Sequence, residues 1–125
     1  MGAFNVPISI GDRNGVRWTT LDALVDTGAS ITSVPASVLR ELGVEPLTTQ
    51  SFRFAQGEVR QMDVGQTWLR VEGREIVTLV LFNEEGAPPL LGALALEGVF
   101  MGVDPIAKRL IPVEGIMMQG RAAVP

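Results

Sequence analysis

The stretch Ala23-Leu24-Val25-Asp26-Thr27-Gly28-Ala29-Ser30 carries a carboxylate straight out of an apolar run and into a glycine turn. Consecutive aliphatic residues belong in a core. An ionised group delivered beside them needs hydrogen-bond partners or loses its charge. Gly28 permits a tight turn and the close approach of another group. Thr27 adds a hydroxyl next to the carboxylate. Whatever fold forms must accept Asp26 at the end of a strand, against its own core.

The remaining composition narrows the chemistry. The chain has no Cys, no His and no Tyr. A thiol nucleophile, a Ser-His pair, a thiolate or imidazole metal site and a disulfide are all impossible. Catalysis, if there is any, must use carboxylates, hydroxyls, Lys, Arg or backbone groups. At 125 residues, 46% hydrophobic and 19% charged, the sequence reads as one domain, residues 1–125, with a real core. Fourteen Gly and eight Pro predict many turns and a mostly β fold. A net charge of −4 argues against a nucleic-acid partner. No apolar run is long enough to span a membrane, and residues 1–10 lack a basic start and a secretory apolar block. The default expectation is a cytoplasmic protein.

Read in order, residues 4–10 alternate as a half-buried strand, with Pro7 pointing to a sheet edge. Residues 11–15 are turn-forming, and residues 16–25 form the strand that delivers Asp26. Ser33 reads as an N-cap and Pro35 as a first-turn residue of a helix over 34–42, stopped by Gly43. Residues 48–54 and 58–64 predict a hairpin around Ala55-Gln56-Gly57. Its polar flanks, Gln50, Arg53, Arg60 and Gln61, suggest that it projects from the body. Residues 66–71 and 75–82 predict a second strand pair, and the apolar run 76–82 a strand covered on both faces. Leu90-Leu91-Gly92 follows a loop, then a short helix over 93–97, then a hairpin of 100–103 and 109–113. Residues 114–125 form a tail without a period.

In this order the parts resemble the retropepsins, the single-domain dimeric branch of the aspartic proteases, and above all the bacterial and archaeal retropepsin-like proteins. The resemblance spans roughly residues 16–113, and rests on Asp26-Thr27-Gly28 with its apolar approach, the helix after it, the Ala55-Gln56-Gly57 tip, and Leu90-Leu91-Gly92 with the helix that follows. It implies a closed, barrel-like acid-protease domain with short helices and a flap hairpin. It also implies an endopeptidase without cofactor or metal, built as a homodimer, in which one Asp26 per chain joins a catalytic dyad. One ionised carboxylate takes a proton from water while its protonated twin donates to the scissile carbonyl. By the same resemblance Thr27 braces the two loops across the axis and Gly28 leaves room for substrate. Ala29 and Ser30 contact an extended polypeptide. Phe54, Ala55, Gln56, Gly57 and Glu58 close over it, and Leu90, Leu91 and Gly92 form the structural turn beside the site. The tail residues Ile116, Met117 and Met118 are candidates for the dimer contact.

Other readings compete. One reads Asp26 as a structural Asx-turn residue, with its side chain bonded to nearby amides. The whole chain reads alternatively as a dimeric peptide-binding or scaffold module that keeps the fold without turnover. A metal-dependent hydrolase of Asp and Glu finds no ligand-like spacing in the sequence. Trp18 and Trp68 read as core or interface residues, Glu84-Glu85 as a solvated loop, and Arg53 and Arg60 as groups that keep the hairpin soluble.

Overall fold

Asp26 emerges from the second strand of an opening hairpin, β1 (Asn5–Gly11) and β2 (Trp18–Val25), in the computed structural model, which describes residues 3–117. Register runs from Asn5 opposite Leu24 to Gly11 opposite Trp18. Val6, Ile8 and Ile10 point inward at the period of two that the sequence carries. The chain continues through β3 (Thr32–Pro35), α1 (Ala36–Glu41), β4 (Thr48–Arg53), β5 (Val59–Val71), β6 (Arg74–Asn83), β7 (Leu90–Leu91) and α2 (Ala93–Gly98). A separate two-stranded sheet, β8 (Met101–Asp104) and β9 (Arg109–Pro112), ends it.

The seven-stranded sheet runs β1-β2-β7-β3-β6-β5-β4, and a further pairing of β1 with β5 closes it into a ring. β5 makes closure possible. Its first half pairs with β4, its last three residues pair with β1, and β6 lies along the other side. Inside the ring sit Ile8, Ile10, Val34, Leu39, Leu69, Val71, Val80 and Leu91, all but excluded from solvent.

Four expectations change. β1 is not an edge strand. Residues 8–10 pair with β5, and Pro7 is accommodated because it lies just outside that pairing. The two stretches expected on either side of residue 65 are one continuous strand. Gly65 is an interior glycine because a side chain there would run into the Phe82 ring and the Glu45 carbonyl. β6 is not covered on both faces. Val77 and Leu79 are 43% and 36% exposed, while Thr78 and Val80 are buried. The first helix begins at Ala36 rather than residue 34, and Ser33 is not its cap but a paired strand residue. Pro35 ends β3 in extended conformation, and the helix has no side-chain cap from its own N-terminal residue.

That missing cap comes from far along the chain. Ser37 donates its backbone N–H and its hydroxyl to the Glu85 carboxylate, at 3.0 and 2.7 Å. A carboxylate at a helix start satisfies an otherwise orphaned donor. The Ser37 hydroxyl first, then its N–H, hold the Glu85 carboxyl below its ordinary value. Glu84 is also engaged, by Arg60. The acidic loop is therefore exposed but not merely solvated.

Candidate active site

The loop after β2 is held by backbone on every side. Leu24 N–H donates to the Pro89 carbonyl at 2.9 Å, and Asp26 N–H to the Leu91 carbonyl at 3.0 Å. β2 runs parallel to β7, and β7 antiparallel to β3, so the Leu90-Leu91-Gly92 turn is threaded between the strands that flank the loop. Ala93 and Leu94 donate their N–H groups to the Ala29 and Ser30 carbonyls, at 2.8 and 3.1 Å. The first donors of α2, which no residue within a helix can satisfy, thereby fasten the loop. Gly92 N–H donates to the buried Thr32 hydroxyl at 3.1 Å. A side chain at Gly92 would lie 2.5 Å from the Ile31 carbonyl group, so only glycine fits.

Asp26 itself is half-buried. Its Oδ1 accepts from Gly28 N–H at 2.9 Å, an Asx-type bond. Among the described residues Oδ2 has no hydrogen bond, so one oxygen orients the carboxylate and the other has no partner among those residues. The remaining aspartates are engaged elsewhere. Asp12 accepts from Val16 N–H, Asp22 from the Asn5 amide, Asp63 from the Thr49 hydroxyl, and Asp104 from Ile106 and Ala107 N–H. Bonding of Val16 N–H, with smaller help from Arg17 and Asn14, holds the Asp12 carboxyl below its usual range.

Asp26 opens on a cleft of about 540 Å³. One wall is the loop: Gly28, Ala29, Ser30 and Ile31. The floor is Ser33, Leu81 and Leu90, with Asn83 at one side, and Phe52, Arg53, Phe54 and Ala55 of the β4–β5 hairpin face the loop. Among the described residues Asp26 is the one acid that lines this space. Ser33 is 4% exposed and its hydroxyl has no hydrogen-bond partner among the described residues.

The hairpin is held by side chains. The Arg60 guanidinium lies 4.2 Å from the Phe54 ring centroid and pairs with Glu84. Arg53 donates to the Gly57 carbonyl at 3.1 Å and so braces the tip. Both arginines do more than keep the surface polar.

Of the residues expected at the site, Asp26, Gly28, Ala29, Ser30, Phe54, Ala55 and Leu90 line the cleft. Thr27, Gln56, Gly57 and Glu58 are exposed and do not line it in this chain. Leu91 and Gly92 are buried behind it. Ile31, Ser33, Phe52, Leu81 and Asn83 line it without having been anticipated, and Arg53, read chiefly as a residue that keeps the hairpin soluble, lines it too. The alternation Phe52-Phe54 was the available signal for one wall. Trp18 and Trp68 stay away from the cleft. Trp18 packs under Arg70 at 3.9 Å and bonds the Gly15 carbonyl, and Trp68 lies beside Gly15. Among the described residues no group of three acids is placed to hold a metal ion, and no helix is long and apolar enough to cross a membrane. Ile116 and Met117 are exposed. Met118 lies outside the described residues.

A closed ring of strands with a glycine-turn aspartate beside a threaded apolar turn is the retropepsin-like aspartic protease fold. Solved structures of that class are similar to this chain. The simian foamy virus (mac) protease, in a solution structure, is 28% identical over 75% of this chain and 92% of its own, with a TM-score of 0.55. A retropepsin-like aspartic protease from Rickettsia conorii is 18% identical over 82% of this chain and 88% of its own, with a TM-score of 0.52. The foamy viral protease-reverse transcriptase, solved with an RNA/DNA hybrid, matches over 90% of this chain and 13% of its own at 16% identity, with a TM-score of 0.55. Comparison with curated protein sequences finds no match. The family model described as "gag-polyprotein putative aspartyl protease" matches residues 14–97, more than half of the sequence, and the chain belongs to that family.

Proposed function

We propose that the protein is an aspartic endopeptidase that works as a homodimer, with Asp26 of each chain supplying half of a catalytic dyad. The observation that carries this reading is the lone acid of the cleft. Among the described residues Asp26 is oriented through one oxygen, its other oxygen is uncommitted, and no second carboxylate lines the space. Hydrolysis by this route needs two carboxylates around one water, so the second comes from a second copy on a two-fold axis. Like charges that close share one proton. The deprotonated member takes a proton from the water as it attacks, and the protonated member donates to the carbonyl oxygen.

The other roles follow from position. An extended peptide lies between the 28–31 backbone and the β4–β5 hairpin and bonds to strand edges on either side. The hairpin acts as a flap. Its tip, Gln56, Gly57 and Glu58, meets the substrate only on closure, and Thr27, exposed in one chain, bonds across the axis. Ile116 and Met117 supply apolar contact between the copies. The protease named in the simian foamy virus structure, which this chain matches over most of both lengths, supports the same reading.

Incubation of the protein with a peptide library at mildly acid pH tests it. Cleavage blocked by a statine-type isostere is expected, with a loss of about 10³-fold or more in Asp26→Asn and unchanged sedimentation. Cleavage that survives the substitution overturns the dyad. A folded dimer that binds peptides without ever cutting them is a binding module instead.

A further inference from the structure

Ser33 is the one buried side-chain hydroxyl of the cleft floor left without a hydrogen bond among the described residues. Register fixes where it points. In β3 it stands opposite Leu90 of β7 on one side and Leu81 of β6 on the other. Residues paired across a sheet share a face, and both leucines line the cleft. The neighbours of Ser33 point the other way. Thr32 bonds Gly92 N–H, and Val34 joins Phe82 in the core. The hydroxyl therefore sits between two aliphatic side chains, on the cleft side of the sheet, with donor and acceptor both unmet.

We propose that Ser33 is a specificity-determining residue: the cleft selects an extended peptide that carries a short, neutral, hydrogen-bonding side chain, serine, threonine or asparagine, at the position over Ser33. This deepens the peptidase reading and rests on it. An occupant with a hydroxyl or amide completes the bonding of Ser33. The hydroxyl is already shut away from water, so an aliphatic occupant of the same shape leaves it unpaired and gains no bond there, and the site favours the hydrogen-bonding occupant by the bond it alone can make. A charged side chain is disfavoured because Leu81 and Leu90 surround the spot and desolvate it.

Threonine and valine are matched in shape and differ at the hydroxyl, so they make the probe. Labelled octapeptides derived from one parent sequence, with Thr or Val placed at each position in turn, are titrated by fluorescence polarisation against full-length Asp26→Asn protein. The same titrations are made with Ser33→Ala and Ser33→Thr added to that background. The same peptides are offered to otherwise unmodified protein for cleavage. At one position threonine is expected to bind about threefold to tenfold more tightly than valine. The preference should collapse or invert in Ser33→Ala and return in Ser33→Thr. A Thr/Val ratio at every position indifferent to Ser33→Ala overturns the proposal. The two readings separate cleanly. A preference that tracks Ser33, with none of the peptides cleaved by the protein that keeps Asp26, removes the peptidase and leaves this inference standing. Cleavage without any such preference does the reverse, and a protein that binds no peptide overturns both.

Discussion

Around Asp26, backbone bonds to backbone from β7 and α2, the buried Thr32 hydroxyl of β3 accepts from Gly92 N–H, and that glycine, with no room for a methyl group, locks the turn behind the loop. Across the cleft, the β4–β5 hairpin projects from the ring on an edge strand whose residues are almost all exposed, and it is tied down by Arg60 and Arg53. Backbone bonds inside a sheet exchange with solvent only when the sheet opens, whereas exposed side-chain pairs break and remake readily. The contrast suits the proposed peptidase, which would hold its carboxylate still while admitting and releasing a chain.

Three measurements break or sharpen it. Gly92→Ala forces a methyl group against the Ile31 carbonyl, which is backbone and cannot swing aside. A loss of about 3 kcal/mol or more is expected in chemical denaturation, with amide protection falling throughout the 26–30 loop. A mild effect there would mean that the loop yields as easily as the hairpin, and the contrast would be gone. Arg60→Ala removes the Glu84 pair and the guanidinium over Phe54 together. About 1 kcal/mol or less is expected globally. Hydrogen exchange should quicken in residues 52–60 and stay unchanged near Asp26. Spread of that change into β7 would show the two regions to be one cooperative unit.

The smallest expected effect concerns pH. The Glu85 carboxyl is held below its ordinary value of 4.5 by Ser37, so the folded state keeps it ionised where the unfolded chain has begun to protonate. Its contribution is complete above that ordinary value and is lost as pH falls through the lowered folded one. Glu85→Gln should therefore be slightly less stable than the parent near neutrality, and the two denaturation midpoints should converge in acid. A difference that persists at low pH would assign the effect to packing rather than to charge at the start of α1.

Much of the site was legible because its signals are local. The aliphatic run 23–25, the lone carboxylate and Gly28 lie within one short stretch, and the period of two in residues 5–10 reports an inward face directly. The misreadings came where one local pattern fits two structures. Ser33 and Pro35 have the chemistry of a helix start, yet parallel pairing of residues 32–35 with residues 80–83 draws them into the sheet and moves the helix to Ala36. Gly65 looks like a break and is a place where Phe82 and the Glu45 carbonyl come close.

Residue order alone determined that a carboxylate would leave a strand into a tight turn, that neither thiol nor imidazole could assist it, and that mostly strands would form. Only the tertiary structure decided which oxygen of Asp26 is committed, that Glu85 caps α1 from across the fold, and that Ser33 faces the cleft. The physical reason is range. Propensity and alternation act over a few neighbouring residues, whereas register, ring closure and a distant cap depend on partners that the sequence places far apart and only folding brings together.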